Sequence, residues 1–188
     1  TTGASNLFSG YGAGMNNISG SFNVFLGYNS GQFNVMGTDN TFLGFQAGYN
    51  ASTSYNTFIG SYAGYSTTIG WNNTMVGYNY GGNNTSGNYN IFIGSYAGYN
   101  VNSDYNTCIG SEAAYNATSG QGNISIGYRS GYNNISGGYN TLLGCESGYN
   151  VTSNYTGTAP LTYSWLPTTG LHNAGVNQPL TKAHDLTY

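Results

Sequence analysis

Charged side chains are nearly absent from this sequence. They make up 4% of its 188 residues, against roughly 25% in typical soluble domains. The only basic residues are Arg129 and Lys182, too few to neutralise the run of phosphates on which nucleic-acid binding depends. The formal net charge of -3 comes from five scattered acidic residues that form no acidic tail. These numbers exclude nucleic acid as a partner.

Cysteine, histidine and proline are also scarce, with two, two and three copies. Cys108 and Cys145 lie in separate repeats, so they predict neither a disulfide framework nor a four-ligand zinc site. His172 and His184 both lie near the C-terminus, and no Ser-His-Asp, HExxH, CxxC, P-loop or EF-hand pattern accompanies them. We therefore expect no metal, no cofactor and no enzyme activity. No stretch approaches the roughly 18 apolar residues of a membrane-spanning helix, so this segment is not expected to insert into a membrane.

Glycine, asparagine and tyrosine are abundant instead, and they recur at a fixed period. The stretch NTFIGSYAGY at 56–65 returns as NIFIGSYAGY at 90–99. Nine such units follow one another in steps of 17, 17 and 16 residues, so that three units span 50 residues. A fixed period is the signature of a stacked repeat array and argues against disorder. The asparagines that begin the units, position 1 of each, are Asn6, Asn23, Asn40, Asn56, Asn73, Asn90, Asn106, Asn123 and Asn140.

Each unit reads N-x-Φ-Φ-G-x-x-small-G-x-N, where Φ is bulky and apolar in most copies. Glycine at positions 5 and 9 indicates two bends beside a very short extended segment, and it leaves no continuous helical stripe of apolar residues. Near-identical units favour the stacking of equivalent rungs. We therefore predict an all-β fold, a parallel β-solenoid (β-roll) of nine rungs of 16–17 residues, spaced about 4.8 Å apart. The position 5 glycines, predicted at corners, are Gly10, Gly27, Gly44, Gly60, Gly77, Gly94, Gly110, Gly127 and Gly144.

The repeated asparagine has two interpretations. Inside the coil, its amide would bond to corner backbone and to the asparagine of the next rung, which makes a structural ladder. As a ligand or glycan site, it would have to be exposed. Because every unit contains it and the next two positions are apolar or Thr in all units but one, the sequence favours the ladder.

The predicted strand is apolar on both faces, because position 3 is often Phe, position 4 is mostly Leu, Ile or Val, and adjacent residues point to opposite faces. One face can fill the thin interior, whereas the other would be a large apolar patch unless something covers it. A partner chain is the simplest cover, at about 1.5–3 kcal/mol for each large side chain that is fully buried. The alternative is a coil wide enough to bury both rows. The predicted oligomer interface consists of Phe8, Phe25, Phe42, Phe58 and Phe92.

Tyrosine recurs at position 10 and predicts an aromatic ladder near the surface. Such a ladder could contact a sugar or another protein, or it could merely cover the edge of the coil. The tyrosines predicted to contact a ligand are Tyr49, Tyr65, Tyr99, Tyr115, Tyr132 and Tyr149.

Glu112 and Glu146 are the one arrangement of acids that resembles a hydrolytic pair. They occupy equivalent positions two rungs apart, roughly 9–10 Å along the stack, near the upper limit for an inverting glycosidase. No further acid or base supports them, so the expectation remains that the chain is not an enzyme.

The repeat pattern stops after Tyr155. Residues 156–188 contain all three prolines and both histidines, and LTYSW and DLTY read as strands around a turn-rich connection. The predicted organisation is a solenoid array over residues 1–155, followed by the start of a β-sandwich-like segment over 156–188. Because TTGAS at the start resembles the loop end TTIGW at 67–71, we expect the array to continue toward the N-terminus.

The units NTFIGSYAGYS and NISIGYRSGYN resemble the head repeats of YadA-like trimeric autotransporter adhesins, and related repeats of phage tail fibres and Bacteroidota secreted surface proteins. The matching features are the asparagine, the Φ-Gly pair and the small residue three positions later, over roughly residues 6–155. The resemblance implies a left-handed parallel β-roll whose three chains pack side by side. Through APLTYSWLPTTGL and NQPL, the tail resembles a truncated Ig-like or PKD-like repeat of Bacteroidota surface proteins.

The main functional hypothesis is an extracellular structural protein, the rigid stalk or head of a surface adhesin or fibre. It would act by self-association into a homotrimer or fibre and by multivalent contact with glycans or host-cell surfaces. One alternative is a carbohydrate-binding module that uses the tyrosine ladder. Another is an ice-binding solenoid, which needs a flat threonine array. Position 2 offers Thr41, Thr57, Thr74, Thr107 and Thr141, but also Leu7, Val24, Ile91 and Ile124.

Overall fold

Nine short β-strands make up the regular structure of the described part of the chain. The computed structural model describes residues 2–78, 81 and 83–150, which form strands, turns and bends but no helix. The second segment predicted over 156–188 lies outside the described residues. The strands, of three residues each, are β1 (Leu7–Ser9), β2 (Val24–Leu26), β3 (Thr41–Leu43), β4 (Thr57–Ile59), β5 (Thr74–Val76), β6 (Ile91–Ile93), β7 (Thr107–Ile109), β8 (Ile124–Ile126) and β9 (Thr141–Leu143).

The nine strands form one parallel sheet, in which each strand pairs with its neighbours in the sequence. The pairing is in register, so that Phe25 of β2, Phe42 of β3 and Phe58 of β4 lie side by side. One repeat unit therefore makes one turn, and equivalent side chains of successive units lie over one another. This is the parallel β-solenoid that the period predicts.

The strands stay short because glycine follows each of them at position 5. These nine glycines have φ between 115° and 139°, a region that residues with a Cβ rarely adopt. At Gly44, a Cβ would also collide with the backbone carbonyl oxygen of Gly60 in the next rung. The corner therefore needs glycine both for its backbone conformation and for the close approach of successive rungs.

Position 3 points into the coil and fills it. Phe25, Phe42 and Phe58 are fully buried, and their stacked rings have centroids 4.8 and 4.9 Å apart. Position 9 is adapted to this column, because a Cβ on Gly48 would collide with the ring of Phe42. The phenylalanine column and the second repeated glycine are thus two parts of one packing arrangement.

One rung changes both of these positions together. In the seventh rung, position 3 is Cys108 and position 9 is Ala114, and both side chains are buried. Ala114 keeps the left-handed conformation of the glycines that it replaces, with φ 53°. Because cysteine is smaller than phenylalanine, part of the space that a ring would occupy is available to the methyl group of Ala114. The interior therefore stays closely packed.

The prediction that the phenylalanines form an oligomer interface is wrong. Phe25, Phe42, Phe58 and Phe92 are buried within the single chain, and Phe8 in the first rung packs partly buried against the same core. The outward side of each strand carries positions 2 and 4 instead. These two positions share a face, and the threonines at position 2 carry a hydroxyl whose burial without a partner costs free energy. That face therefore turns outward and the phenylalanines turn inward.

The 16-residue units shorten a corner by exchanging its glycine for a hydroxyl residue. Ser103 donates a hydrogen bond to the carbonyl of Gly120 in the next rung at 2.7 Å, and it accepts one from the side chain of Asn106 at 3.1 Å. Thr53 makes the equivalent contacts one triplet earlier. The hydroxyl thus joins the hydrogen bonds of the corner, and one residue can be removed from the loop.

We expect Phe42→Ala to destabilise the fold by about 3–5 kcal/mol, because it leaves a cavity in a closely packed column. Phe45→Ala is the matched control, since it removes a ring that is 42% exposed, and its cost should be much smaller. Urea denaturation followed by circular dichroism measures both. Equal losses would contradict the placement of Phe42 in the core.

Candidate functional site

The asparagines of position 1 form a continuous hydrogen-bonded column inside the coil. At every step the side-chain Oδ1 accepts a hydrogen bond from the backbone N–H of the asparagine in the next rung, with N–O distances of 2.8–3.0 Å. The side-chain Nδ2 also donates to corner carbonyls, as from Asn73 to Gly87 at 2.8 Å. The column is buried from Asn23 to Asn140. The predicted ladder is confirmed, and its buried amides are not open to a ligand.

A second asparagine column, formed by the last residue of the repeat pattern, runs along the surface, and the sequence alone assigns it no role. The Nδ2 of each member donates to the Oδ1 of the next, with N–O distances of 2.7–3.0 Å. A signal was present in the sequence, because asparagine follows tyrosine in several units, as in the repeated GYN. The surface asparagine column, at position 11, consists of Asn83, Asn100, Asn116, Asn133 and Asn150.

The tyrosines of position 10 stack beside this column. Between Tyr132 and Tyr149 the ring centroids are 4.9 Å apart and the planes differ by 3°. The other stacked pairs have centroid distances of 5.0–5.2 Å and interplanar angles of 7–15°. The six predicted tyrosines form one pair, Tyr49 and Tyr65, and one tyrosine row, Tyr99, Tyr115, Tyr132 and Tyr149.

Stacking decides what the tyrosine row presents to solvent. Both faces of Tyr115 and of Tyr132 lie against neighbouring rings, and the side chains are half-buried. Burial first, and then the neighbouring phenols and the Glu112 carboxylate, raise the pKa of both tyrosines. They therefore stay neutral at pH 7. The row offers hydroxyl groups and ring edges, but its inner rings offer no open aromatic face on which a sugar could stack.

Glu112 and Glu146 do not form a free carboxylate pair. Arg129 occupies the equivalent position of the rung between them, and its Nε lies 2.6 Å from the Oε2 of Glu112. The guanidinium also lies over the rings of Tyr128 and Tyr132, 4.9 and 5.5 Å from their centroids. The three charges thus alternate in sign along the stack, which is a stabilising arrangement on a regular surface.

The outward side of the sheet, which we name the outward strand face, consists of positions 2 and 4 of β1 to β9. Its side chains are aliphatic except for five threonines and one serine, and they are half-buried or exposed: Ile93 is 37% and Leu143 is 55% exposed. None of the nine strands contains a charged residue. An exposed aromatic side chain lies two residues from at least one end of each strand, as Tyr55 does before β4 and Tyr28 after β2.

The two cysteines are free and differ in exposure. Cys108 is buried at position 3, and burial raises the pKa of its thiol far above the ordinary range. Cys145 is exposed at position 6. Because the thiolate is the reactive form, the buried thiol is inert and serves as a small apolar side chain of the core.

Comparisons of the chain with protein-family profiles, with curated proteins and with solved structures found no match. Among residues 2–78, 81 and 83–150, no three His, Cys, Asp or Glu side chains come together as a group that could hold a metal ion. In that same part of the chain, no helix is long and apolar enough to cross a membrane. The function therefore has to be argued from the outward strand face, the tyrosine row and the surface asparagine column.

We expect Asn73→Ala to destabilise the fold by about 1–3 kcal/mol, because a buried donor loses its only acceptor. That donor is the backbone N–H of Asn90, which bonds to the Asn73 Oδ1 at 2.9 Å. Asn100→Ala is the matched control in the surface column, where water can replace the lost bonds, and it should stay within about 0.5 kcal/mol. Thermal unfolding compares the two, and similar losses would contradict the structural role of the buried column.

A thiol-specific reagent should modify Cys145 and leave Cys108 untouched while the chain is folded, because only Cys145 is exposed. In urea both cysteines should react. Mass spectrometry of the modified peptides distinguishes the two sites. Rapid labelling of Cys108 without denaturant would show that position 3 is accessible to solvent and would contradict the described core.

Proposed function

We propose that the chain has a structural and not a catalytic role, as part of the rigid extracellular stalk or head of a surface adhesin or fibre. In this role, the outward strand face packs against further copies of the same chain. The observation that carries the proposal is the exposed, uncharged and mainly aliphatic surface of that face. Each Leu or Ile that a neighbouring copy fully buries contributes about 1.5–3 kcal/mol.

The dimensions of the outward strand face support a stable contact. Eight rung intervals of about 4.8 Å give a strip roughly 38 Å long, and three strand residues give a width of about 10 Å. The exposed aromatic side chains near both strand ends extend this strip toward the roughly 800 Å² that each partner buries in an interface of standard size. Since no strand residue is charged, contact between the strands themselves would not bury an unpaired charge.

The regularity of the face favours a second copy as the partner. A copy of the chain has the same rung spacing, so its rows of aliphatic side chains can remain aligned with those of its neighbour over the whole length. Closed cyclic symmetry is the usual form of such assemblies. The resemblance of NTFIGSYAGYS to YadA-like head repeats supports three chains side by side and a location at the cell surface.

The carbohydrate-binding alternative receives less support. Stacking on a sugar needs an open ring face, and the inner members of the tyrosine row have rings on both sides. The hydroxyls of the row and the amides of the surface asparagine column remain available for hydrogen bonds. Contact with glycans or cell surfaces would then depend on many weak, repeated interactions acting together.

The ice-binding alternative uses the outward strand face itself. It is favoured by the outward direction of position 2, which carries Thr41, Thr57, Thr74, Thr107 and Thr141. The aliphatic residues at position 2 in the other four rungs interrupt this array. A monomeric chain that shows thermal hysteresis would favour ice binding over self-association.

Self-association predicts that Ile93→Lys combined with Ile126→Lys converts the oligomer to a monomer of 19.8 kDa. Burial of two unpaired ammonium groups would cost several kcal/mol, whereas in the free chain both side chains lie on an exposed surface. Light scattering after size-exclusion chromatography measures the mass, and circular dichroism checks that the fold is kept.

The matched control is Ile69→Lys combined with Ile135→Lys, which changes two exposed isoleucines outside the strands. This variant should keep the mass of the unsubstituted chain. A monomeric unsubstituted chain, or an oligomer that both variants leave intact, would overturn the assignment of the outward strand face as the contact between copies.

A further inference from the structure

The phenol rings of the tyrosine row stack face to face, so that their hydroxyl edges lie next to one another. Its four members occupy the same position in successive rungs, and three consecutive ring pairs have centroids 4.9–5.2 Å apart. Because the rings are nearly parallel, the carbon atoms next to the hydroxyl in one ring lie close to those of its neighbour. The side chains are half-buried, so the hydroxyl edges remain in contact with solvent.

We propose that the tyrosine row is a site of oxidative modification, at which dityrosine bonds join neighbouring rungs. The reagent would be a one-electron oxidant, such as a haem peroxidase supplied with hydrogen peroxide. This inference is independent of the proposed self-association, because every bond forms within one chain.

The reaction balances without any group held by the protein. Each of two phenols loses one electron to the oxidant and one proton to solvent, which leaves two neutral phenoxyl radicals. A carbon–carbon bond forms between the ring carbons next to the two oxygens. The hydrogens on these two carbons are lost as the oxygens regain protons, which restores both phenols. Hydrogen peroxide takes up the two electrons and two protons and becomes two molecules of water.

Two properties of the row favour this coupling over other fates of the radical. A radical on any member has a second phenol about 5 Å away, and it can pass from ring to ring until a neighbour is also oxidised. Burial, the neighbouring phenols and the negative charge of Glu112, which raise the pKa of Tyr115 and Tyr132, disfavour phenolates. A neutral phenoxyl radical carries no such penalty.

Tyr55 shows by contrast what the row supplies. It is 55% exposed and therefore more accessible to an oxidant than the half-buried members of the row. Its counterparts in the preceding and following rungs are Asp39 and Asn72, so neither adjacent rung places a phenol against it. Exposure and proximity thus make opposite predictions for Tyr55 and for the tyrosine row.

The test exposes the full folded chain to peroxidase and hydrogen peroxide and maps linked peptides by mass spectrometry after pepsin digestion. We expect links between Tyr99 and Tyr115, Tyr115 and Tyr132, and Tyr132 and Tyr149. Each linked pair should be lighter by two hydrogen atoms, fluoresce as dityrosine and migrate as an unlinked monomer under denaturing conditions. The linked chain should unfold at a higher urea concentration than the untreated chain.

Tyr132→Phe keeps a ring in the stack and removes one hydroxyl, so it should lose both links of residue 132 and retain the link between Tyr99 and Tyr115. Tyr55→Phe is the control and should retain all three. Tyr99→Phe gives a second test at the end of the row and should lose one link only. Circular dichroism confirms that each variant is folded.

Three results would overturn the proposal. The first is an absence of links within the row of the oxidised, folded chain. The second is coupling that follows exposure, with Tyr55 linked as often as the members of the row. The third is the same pattern of links when the chain is oxidised in urea, because the rungs are then no longer stacked.

Discussion

One hydrogen bond holds successive turns of this chain in register: the bond from the backbone N–H of each position 1 asparagine to the side-chain oxygen of the asparagine one rung earlier. Because it recurs at every step, each unit must return the chain to the same point after 16 or 17 residues. The side-chain Nδ2 atoms of these asparagines donate to corner carbonyls, so the same side chain also fixes the turn. Where the loop is one residue shorter, the hydroxyl of Thr53 or Ser103 completes the corner.

Register places like residues over like residues, and this explains much of the unusual composition. Rings stack well on rings, and asparagines hydrogen-bond to asparagines, so Phe, Tyr and Asn are favoured. Columns of like charge would repel, which is consistent with a charged fraction of only 4%. The described exception alternates in sign, from Glu112 through Arg129 to Glu146. Size is matched at one rung, since Cys108 is accompanied by Ala114 where five other rungs pair a phenylalanine with a glycine.

A coil of such narrow units covers only one face of its sheet. The inward side of each strand meets the small residues of positions 8 and 12, such as Ala47 and Ala51, whereas no described part of the chain covers the outward side. The proposed association with further copies would cover that side. The tyrosine row lies beside the surface asparagine column, so its chemistry is separate from the proposed contact between copies.

The sequence by itself determined the class of fold, the number of rungs, the glycine corners and the asparagine ladder. The asparagine of position 1 and the glycine of position 5 recur nine times at one period, and stacked turns of a coil explain that recurrence. It did not determine which side of the strand faces inward. Positions 3 and 4 are both apolar, and alternation alone assigns them to opposite faces without saying which is inside. It also left the orientation of the tyrosine rings open, because the spacing brings the tyrosines into one row but does not determine whether their rings stack. Only the tertiary structure decided these points, since the direction of a three-residue strand depends on the space beneath it. The glycine of position 9 leaves that space for a phenylalanine ring, and the threonines of position 2 keep their hydroxyls outside.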